Sequence, residues 1–234
     1  MATLYAWSPI YAECTHTPTP MPAQAFKLVH LVGRVQPGDV VLVHAAASGV
    51  GLAAIQLVVA AGATALATVG SPEKLATAER LGASGGAVRH DGPWLPRIQG
   101  LLPAGKKGVD VVLDPVASGY SDANIEILAV DGRWVLYSLL SGPTLPEAVA
   151  KTFFGAMAKK RISLLATTLR TRPTAYKRHL VSRFAKEVLP LLAAGRMEHV
   201  IDKEFVGLEQ AQAAHEYMES NANSGKLVMQ IVAS

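Results

Sequence analysis

A run of residues near position 45 constrains the fold more than any other part of the sequence. The apolar stretch Val40 to His44 is followed by a loop of small residues, Ala45 to Gly51, and then by the apolar stretch Leu52 to Ala61, which Gly62 ends. Such a short apolar run bounded by turn residues favours a buried strand, and a longer one closed by glycine favours a helix. Because a second apolar run follows at Thr64 to Val69, we expect a strand–helix–strand unit with parallel strands.

The same alternation continues along the chain. Ser71 and Pro72 suit the N-cap and the first position of a helix that runs to Leu81 and is stopped by Gly82, and Ile125 to Val130 has a helical pattern. We predict six strands, at Val40–His44, Thr64–Val69, near Ala87–Arg89, Val109–Leu113, Arg133–Tyr137 and Ile162–Ala166. The fold class is therefore predicted as α/β, a doubly wound, six-stranded parallel sheet of the Rossmann type.

Composition agrees with a buried sheet. Hydrophobic residues make up 50% of the chain and charged residues only 17%, against about 25% in an average soluble domain. Strands of a parallel sheet are covered on both faces, so they use few charged side chains.

The sequence pattern after Pro173 differs from the strand and helix alternation before it. After Pro173 the pattern predicts a long amphipathic helix to about Ala194, a strand at Val200–Val206, a helix at Leu208–Ser220 and a strand at Leu227–Val232. These two strands have no obvious place in the six-stranded sheet. We expect a leader over residues 1–20, a dinucleotide-binding domain over 21–195 and the remnant of a second domain over 196–234.

The loop Ala45 to Gly51 suits a dinucleotide pyrophosphate. Such a group needs backbone amides and a helix N-terminus within close reach, which only small residues allow. Small residues replace some glycines of the strict GxGxxG motif, so an ordinary tight turn is the alternative. The strand before the loop and the helix after it favour the dinucleotide site.

The end of the second predicted strand bears on the choice of cofactor. NAD-selective domains carry an acidic residue there, about 20 positions after the glycine loop, but this chain has Gly70 and Ser71. Lys74 lies in the first turn of the next helix, where a cation is unfavourable unless an anion is close. The pattern favours NADPH, with Ser71 and Lys74 holding its 2′-phosphate. The alternative is that Lys74 is a surface residue beside Glu73.

Several function classes find little support. A single cysteine, Cys14, leaves no intramolecular disulfide, and the first 20 residues contain no Lys or Arg, so a cytoplasmic protein fits best. No metal-ligand motif and no GxSxG elbow occurs, so no metal and no hydrolase triad are predicted. The net charge of +4 is concentrated at Lys151 to Arg183. Without interleaved stacking aromatics this is read as a solvated face rather than as an RNA site.

Five segments resemble the zinc-independent quinone oxidoreductases of the medium-chain dehydrogenase/reductase superfamily. They are LVHLVGRVQPGDVVLVHAAASGVGLAAIQL, GSPEKLATAERLGA, GVDVVLDPVASGY, DGRWVLYSLLSG and AAHEYMESNANSGKLVMQI, from about Leu28 to the C-terminus. The resemblance implies NADPH-dependent reduction of a quinone and a homodimer that pairs through the sixth strand. It also implies that residues 196–234 complete a catalytic domain whose first part is missing here, so an NADPH-binding module without catalysis is the alternative.

The resemblance also implies which residues contact the cofactor, although no catalytic residue is assigned. The implied contacts are Ser48, Gly49, Val50, Gly51, Gly70, Ser71, Lys74, Val116, Tyr137, Ser138, Leu139, Asn223 and Lys226. Two positions depart from the family pattern. Gln24 stands where the family has a threonine near the nicotinamide, and Ser138 replaces a usual glycine.

Overall fold

The computed structural model describes residues 20–231, so the predicted leader lies outside the described residues except for Pro20. Six parallel strands form one sheet in the order β3-β2-β1-β4-β5-β6. The strands are β1 (Val40–Val43), β2 (Thr64–Val69), β3 (Ala83–Val88), β4 (Val109–Asp114), β5 (Leu128–Leu136) and β6 (Ser163–Ala166). This is the doubly wound order of a Rossmann sheet, and it confirms the predicted fold class.

Helices cover both faces of the sheet. They are α1 (Pro20–Phe26), which continues as a π-helical segment (Lys27–Val32), α2 (Gly49–Ala60), α3 (Pro72–Arg80), α4 (Trp94–Gly100), α5 (Ser121–Ile127), α6 (Glu147–Lys160), α7 (Thr174–Glu187) and α8 (Leu189–Ala193). Alternate residues of β1 point to opposite faces, as a pleated strand requires. Val41 and Val43 join the core under α1 and α2, whereas Val40 and Leu42 join a second core with Trp94.

A separate two-stranded parallel sheet follows the main one. It consists of β7 (Ile201–Val206) and β8 (Lys226–Gln230), joined by helix α9 (Ala211–Glu219). Phe205 is buried and its ring lies 6.3 Å from that of Tyr217 on α9. The predicted strand pair at the end of the chain is therefore present and lies outside the six-stranded sheet.

Several predicted bounds were wrong. Helix α2 begins at Gly49 rather than Leu52, because the Ser48 hydroxyl accepts from the Gly51 amide and caps the helix there. Strand β5 begins at Leu128, inside the predicted helix Ile125–Val130. The long helix after Pro173 is divided at Val188, since Pro190 cannot continue the hydrogen bonds of α7.

Among residues 20–231, none of the helices combines the length and the apolar character needed to cross a membrane.

Candidate functional site

The predicted contact residues lie at the carboxyl end of the main sheet. Strands β1, β2, β4 and β5 are parallel, so their carboxyl ends and the loops that follow them lie on the same side of the molecule. The chain crosses from one side of the sheet to the other between β1 and β4. Ligands of open α/β sheets bind at this switch point.

The loop after β1 has the geometry that a pyrophosphate needs. Ala45 adopts φ +48°, a conformation uncommon for a residue with a Cβ, and turns the chain sharply into α2. A Cβ on Gly51 would lie 2.5 Å from the Ala46 carbonyl oxygen, so only glycine allows this close packing of helix against loop. The first amides of α2, at Gly49 and Val50, precede its first internal bond, which runs from the Leu52 amide to the Ser48 carbonyl. The residues present fit a bound dinucleotide phosphate.

The C-terminal segment lies directly against this loop. The Gly225 amide donates to the Ala47 carbonyl at 2.8 Å, and Gly225 forms an isolated bridge with Ser48. The Asn223 side chain donates to the Gly225 carbonyl at 3.3 Å, and burial lowers the pKa of the neighbouring Lys226. The structure thus brings Asn223 and Lys226 to the predicted phosphate loop.

Two basic side chains lie near the end of β2. Ser71 caps α3 by accepting from the Lys74 amide at 3.4 Å. Arg89, directly after β3, reaches the same place, because a Cβ on Gly70 would lie 3.7 Å from its Nε. Burial and the Arg89 charge lower the pKa of Lys74, and Asp202 opposes them.

Sequence reasoning missed Arg89 and also missed what Lys74 contacts. The Lys74 amine donates to the Asn221 carbonyl at 2.5 Å, which joins α3 to the C-terminal segment. The available signal for Arg89 was that it is the last residue of the third predicted strand, near Ala87–Arg89; its closeness to Gly70 comes from the fold. The Asn221 contact had no local signal, since the two residues are far apart in the chain.

The loops after β4 and β5 carry the remaining predicted contacts. Val116 and Ser138 are half-buried, and Leu139 is exposed. Tyr137 packs against the main core, and burial raises the pKa of its phenol, so the hydroxyl stays protonated. The arrangement offers a hydrogen-bond donor rather than a base.

A buried polar network lies beneath these loops. The His44 ring is hydrogen-bonded to the Thr68 hydroxyl at 2.8 Å and to the side-chain amide oxygen of Asn124 at 2.7 Å. Asn124 in turn donates to Asp114 at 3.0 Å, which also accepts from Trp134 at 2.9 Å. Because the Asn124 oxygen must accept, His44 Nε2 carries the proton and Nδ1 accepts from Thr68.

Burial keeps His44 neutral. It lowers the pKa of the imidazole below its usual value, although the Asp114 charge opposes this. His44 lies below the loop with no exposed surface, so its role in the structure is to hold this hydrogen-bond network in place.

The basic run from Lys151 to Arg183 is partly neutralised. Lys151 pairs with Glu147 at 2.7 Å, Arg161 with Asp131 at 2.6 Å, and Arg183 with Glu187 at 2.7 Å. Such exposed pairs are typical of a solvated surface.

No set of three or more His, Cys, Asp or Glu side chains within residues 20–231 is arranged to hold a metal ion.

This chain is similar to known dehydrogenases and reductases. A family model described as zinc-binding dehydrogenase matches residues 96–229. The quinone oxidoreductase of Salmonella typhimurium is 31% identical over 205 residues, which is 87% of this chain and 60% of that protein. The 2-haloacrylate reductase of a Burkholderia species is 28% identical over 206 residues, 86% of this chain and 58% of that protein.

A solved structure of a quinone oxidoreductase is also similar to this chain. The Escherichia coli quinone oxidoreductase complexed with NADPH is 25% identical and has a TM-score of 0.75, covering 91% of this chain and 63% of that one. The chain therefore spans less than two thirds of the length of each of these proteins.

Proposed function

Because the chain belongs to the zinc-binding dehydrogenase family, we propose that it is an NADPH-dependent oxidoreductase that reduces a quinone or a related enone without zinc. The observation that carries the proposal is the Ser48-capped start of α2, packed through Gly51 onto the loop after β1. This helix end lies at the switch point of the sheet, where a dinucleotide binds.

The charges beside β2 support NADPH over NADH. Arg89 lies next to Gly70, where a 2′-phosphate would lie, and its charge acts on Lys74 in the first turn of α3. Arginine recognises phosphate through two parallel donors, which makes this pairing stronger than that of a point charge. No carboxylate of β2 or of its loop competes, since Gly70 and Ser71 occupy those positions.

The proposed reaction is a hydride transfer. Bound NADPH supplies the hydride, the quinone takes it together with a proton from solvent, and hydroquinone and NADP⁺ leave. The residues of this chain bind and orient: the α2 amides hold the pyrophosphate, Lys74 and Arg89 the adenosine end, and the loops after β4 and β5 the nicotinamide end. The wall that selects the substrate would come from a second domain, to which we assign residues 196–234.

The names of the relatives support this substrate class. The Salmonella relative is a quinone oxidoreductase and the Burkholderia relative a 2-haloacrylate reductase, so both act on an activated double bond or carbonyl. We also propose that the protein is cytoplasmic, since its single cysteine can form no intramolecular disulfide.

The test is NADPH consumption at 340 nm by the purified chain with a naphthoquinone or an orthoquinone as acceptor. We expect acceptor-dependent oxidation of NADPH that exceeds the rate with NADH. Absence of turnover at high protein concentration would reject the enzyme proposal for this chain.

A second function is a cofactor-binding module without catalysis. The geometry at the Ser48-capped start of α2 concerns cofactor binding and not turnover, so it fits this function as well. Its signature is a rise in melting temperature with micromolar NADPH and no reductase rate.

We further propose a homodimer through β6. This strand pairs only with β5 among the described strands, and Leu164 on it is 41% exposed. An open strand edge is a template for pairing with a second chain.

A further inference from the structure

The hydrogen bonding between β4 and β5 continues past the carboxyl ends of the two strands, into the loops that follow them. The Tyr137 amide donates to the Asp114 carbonyl at 3.0 Å, and Leu140 donates to Pro115 at 3.0 Å. The Ser141 amide then donates to the Val116 carbonyl at 2.9 Å. The two loops therefore approach each other over several residues instead of separating after the strands.

The Ser141 side chain adds a second connection at the same point. Its hydroxyl donates to the Val116 carbonyl at 2.7 Å and accepts from the Gly119 amide at 2.7 Å. A hydroxyl provides one donor and accepts through its lone pairs, so both bonds can exist together. A related contact runs the other way, from the Ser118 hydroxyl to the Thr144 carbonyl. Serine hydroxyls thus fasten the loop after β4 to the loop after β5.

Val116 is held from both sides. Its amide donates to an Asp114 carboxylate oxygen at 2.6 Å, and its carbonyl accepts the two bonds from Ser141. The next residue, Ala117, donates to the same carboxylate oxygen at 3.0 Å and adopts φ +70°. Such a conformation of a non-glycine residue persists only where its surroundings enforce it.

We infer that Ser141 is a positioning residue, whose hydroxyl presets the loops after β4 and β5 for the nicotinamide half of the cofactor. The inference rests on the proposed function, which assigns these loops to that half. Ser141 itself is exposed, and its bonds go to backbone groups. It therefore acts through the shape of the Val116–Gly119 segment, and a loop that is already ordered loses less entropy when ligand binds.

The experiment compares two ligands on three variants. NADPH contacts both halves of the site, whereas adenosine 2′,5′-bisphosphate reaches only the adenosine half. We expect Ser141→Ala to raise the Kd of NADPH about three- to tenfold, the effect of one or two lost hydrogen bonds, with the Kd of the bisphosphate unchanged. Ser141→Thr keeps the hydroxyl and should restore NADPH binding. Ser84→Ala, at an exposed position on β3, is the matched control and should bind both ligands as the wild type does.

Hydrogen exchange without ligand gives an independent readout. The Gly119 amide should exchange faster in Ser141→Ala than in the wild type, because its acceptor is removed. Equal Kd values for NADPH in Ser141→Ala and the wild type would overturn the inference, as would an equal loss for both ligands. If the wild type binds neither ligand, the proposed function fails and the inference fails with it, and the wild-type titration identifies that case.

Discussion

At the scale of single residues, we expect the choice between the two nicotinamide cofactors to depend on charge near Gly70. Arg89, directly after β3, lies beside Gly70, and its charge acts on Lys74 of α3. We expect Arg89→Ala and Lys74→Ala each to weaken NADPH binding about tenfold, since a charge-assisted hydrogen bond to phosphate is lost. NADH lacks the 2′-phosphate, so its Kd should stay the same. Fluorescence titration with both cofactors measures this, and Lys107→Ala, at an exposed site away from the cofactor, is the control.

Equal losses for NADPH and NADH would contradict this prediction, because they would mean that the two side chains shape the site without contacting a 2′-phosphate.

A second residue-scale prediction concerns backbone strain. Ala117 adopts φ +70° and ψ −114°, outside the regions open to a residue with a Cβ. Glycine adopts positive φ without that cost, so Ala117→Gly should raise the free energy of unfolding by about 1 kcal/mol. Urea denaturation measures the change.

The control for Ala117→Gly is Ala76→Gly, an exposed position within α3. There the same substitution should lower the free energy of unfolding by about 1 kcal/mol, since glycine is a poor helix former. A loss of stability in both variants would mean that the Ala117 conformation carries no strain.

At the scale of elements, the π-helical segment Lys27–Val32 opens with a buried cation. The Lys27 side chain is fully buried, and its amine has no hydrogen-bond partner among residues 20–231. Burial, together with the Arg172 charge, lowers the pKa of Lys27 to about 8. An unfolded lysine binds its proton more tightly, so stability should rise with pH between about 8 and 10.5 and be lost as pH falls through that window.

Lys27→Met should remove this dependence. We expect the variant to be more stable than the wild type at pH 7, by about 2 to 3 kcal/mol, because methionine fills the same space without a charge. Denaturation series at pH 7, 8.5 and 10 compare it with Lys107→Met, which replaces an exposed lysine. A wild-type stability that does not rise above pH 8 would show that the Lys27 amine is solvated or paired.

The elements also show what local pattern can and cannot predict. The strand–loop–helix unit at β1 and α2 was predictable because Val40–Val43 is uniformly apolar and small residues follow. Helix α6 was missed, since most of its residues are exposed and its sequence lacks a clear apolar stripe. The short helix α4 was not predicted because it contains Pro96. This proline lies in the first turn, where the amide that it lacks would have no partner within the helix.

The candidate site likewise contains residues that the local sequence pattern predicts and residues that it does not. Gly51, Ser71 and Lys74 follow from local spacing around two strands. Arg89 and Asn221 reach Lys74 only through the strand order and through the docking of the C-terminal segment. Contacts of this kind depend on tertiary geometry, and no short segment of the sequence indicates them.

At the scale of the whole molecule, the open edge of β6 makes the oligomeric state testable. If two chains pair through this strand, Leu164→Asp should convert a dimer to a monomer, because charges on an edge strand oppose edge-to-edge pairing. Sedimentation velocity measures the change. Leu208→Asp, at an exposed leucine outside β6, is the control and should remain a dimer. A wild type that is monomeric at every concentration would reject pairing through β6.

The contact between Gly225 and Ala47 has a consequence for synthesis of the protein. The Ala47 carbonyl of the phosphate loop accepts a hydrogen bond from Gly225, a residue that is synthesised long after the loop itself. During translation this bond can form only after Gly225 has left the ribosome. A nascent chain halted before Gly225 should carry a formed six-stranded sheet and a loosely held phosphate loop, so we expect it to retain cofactor less well than a chain that includes Gly225.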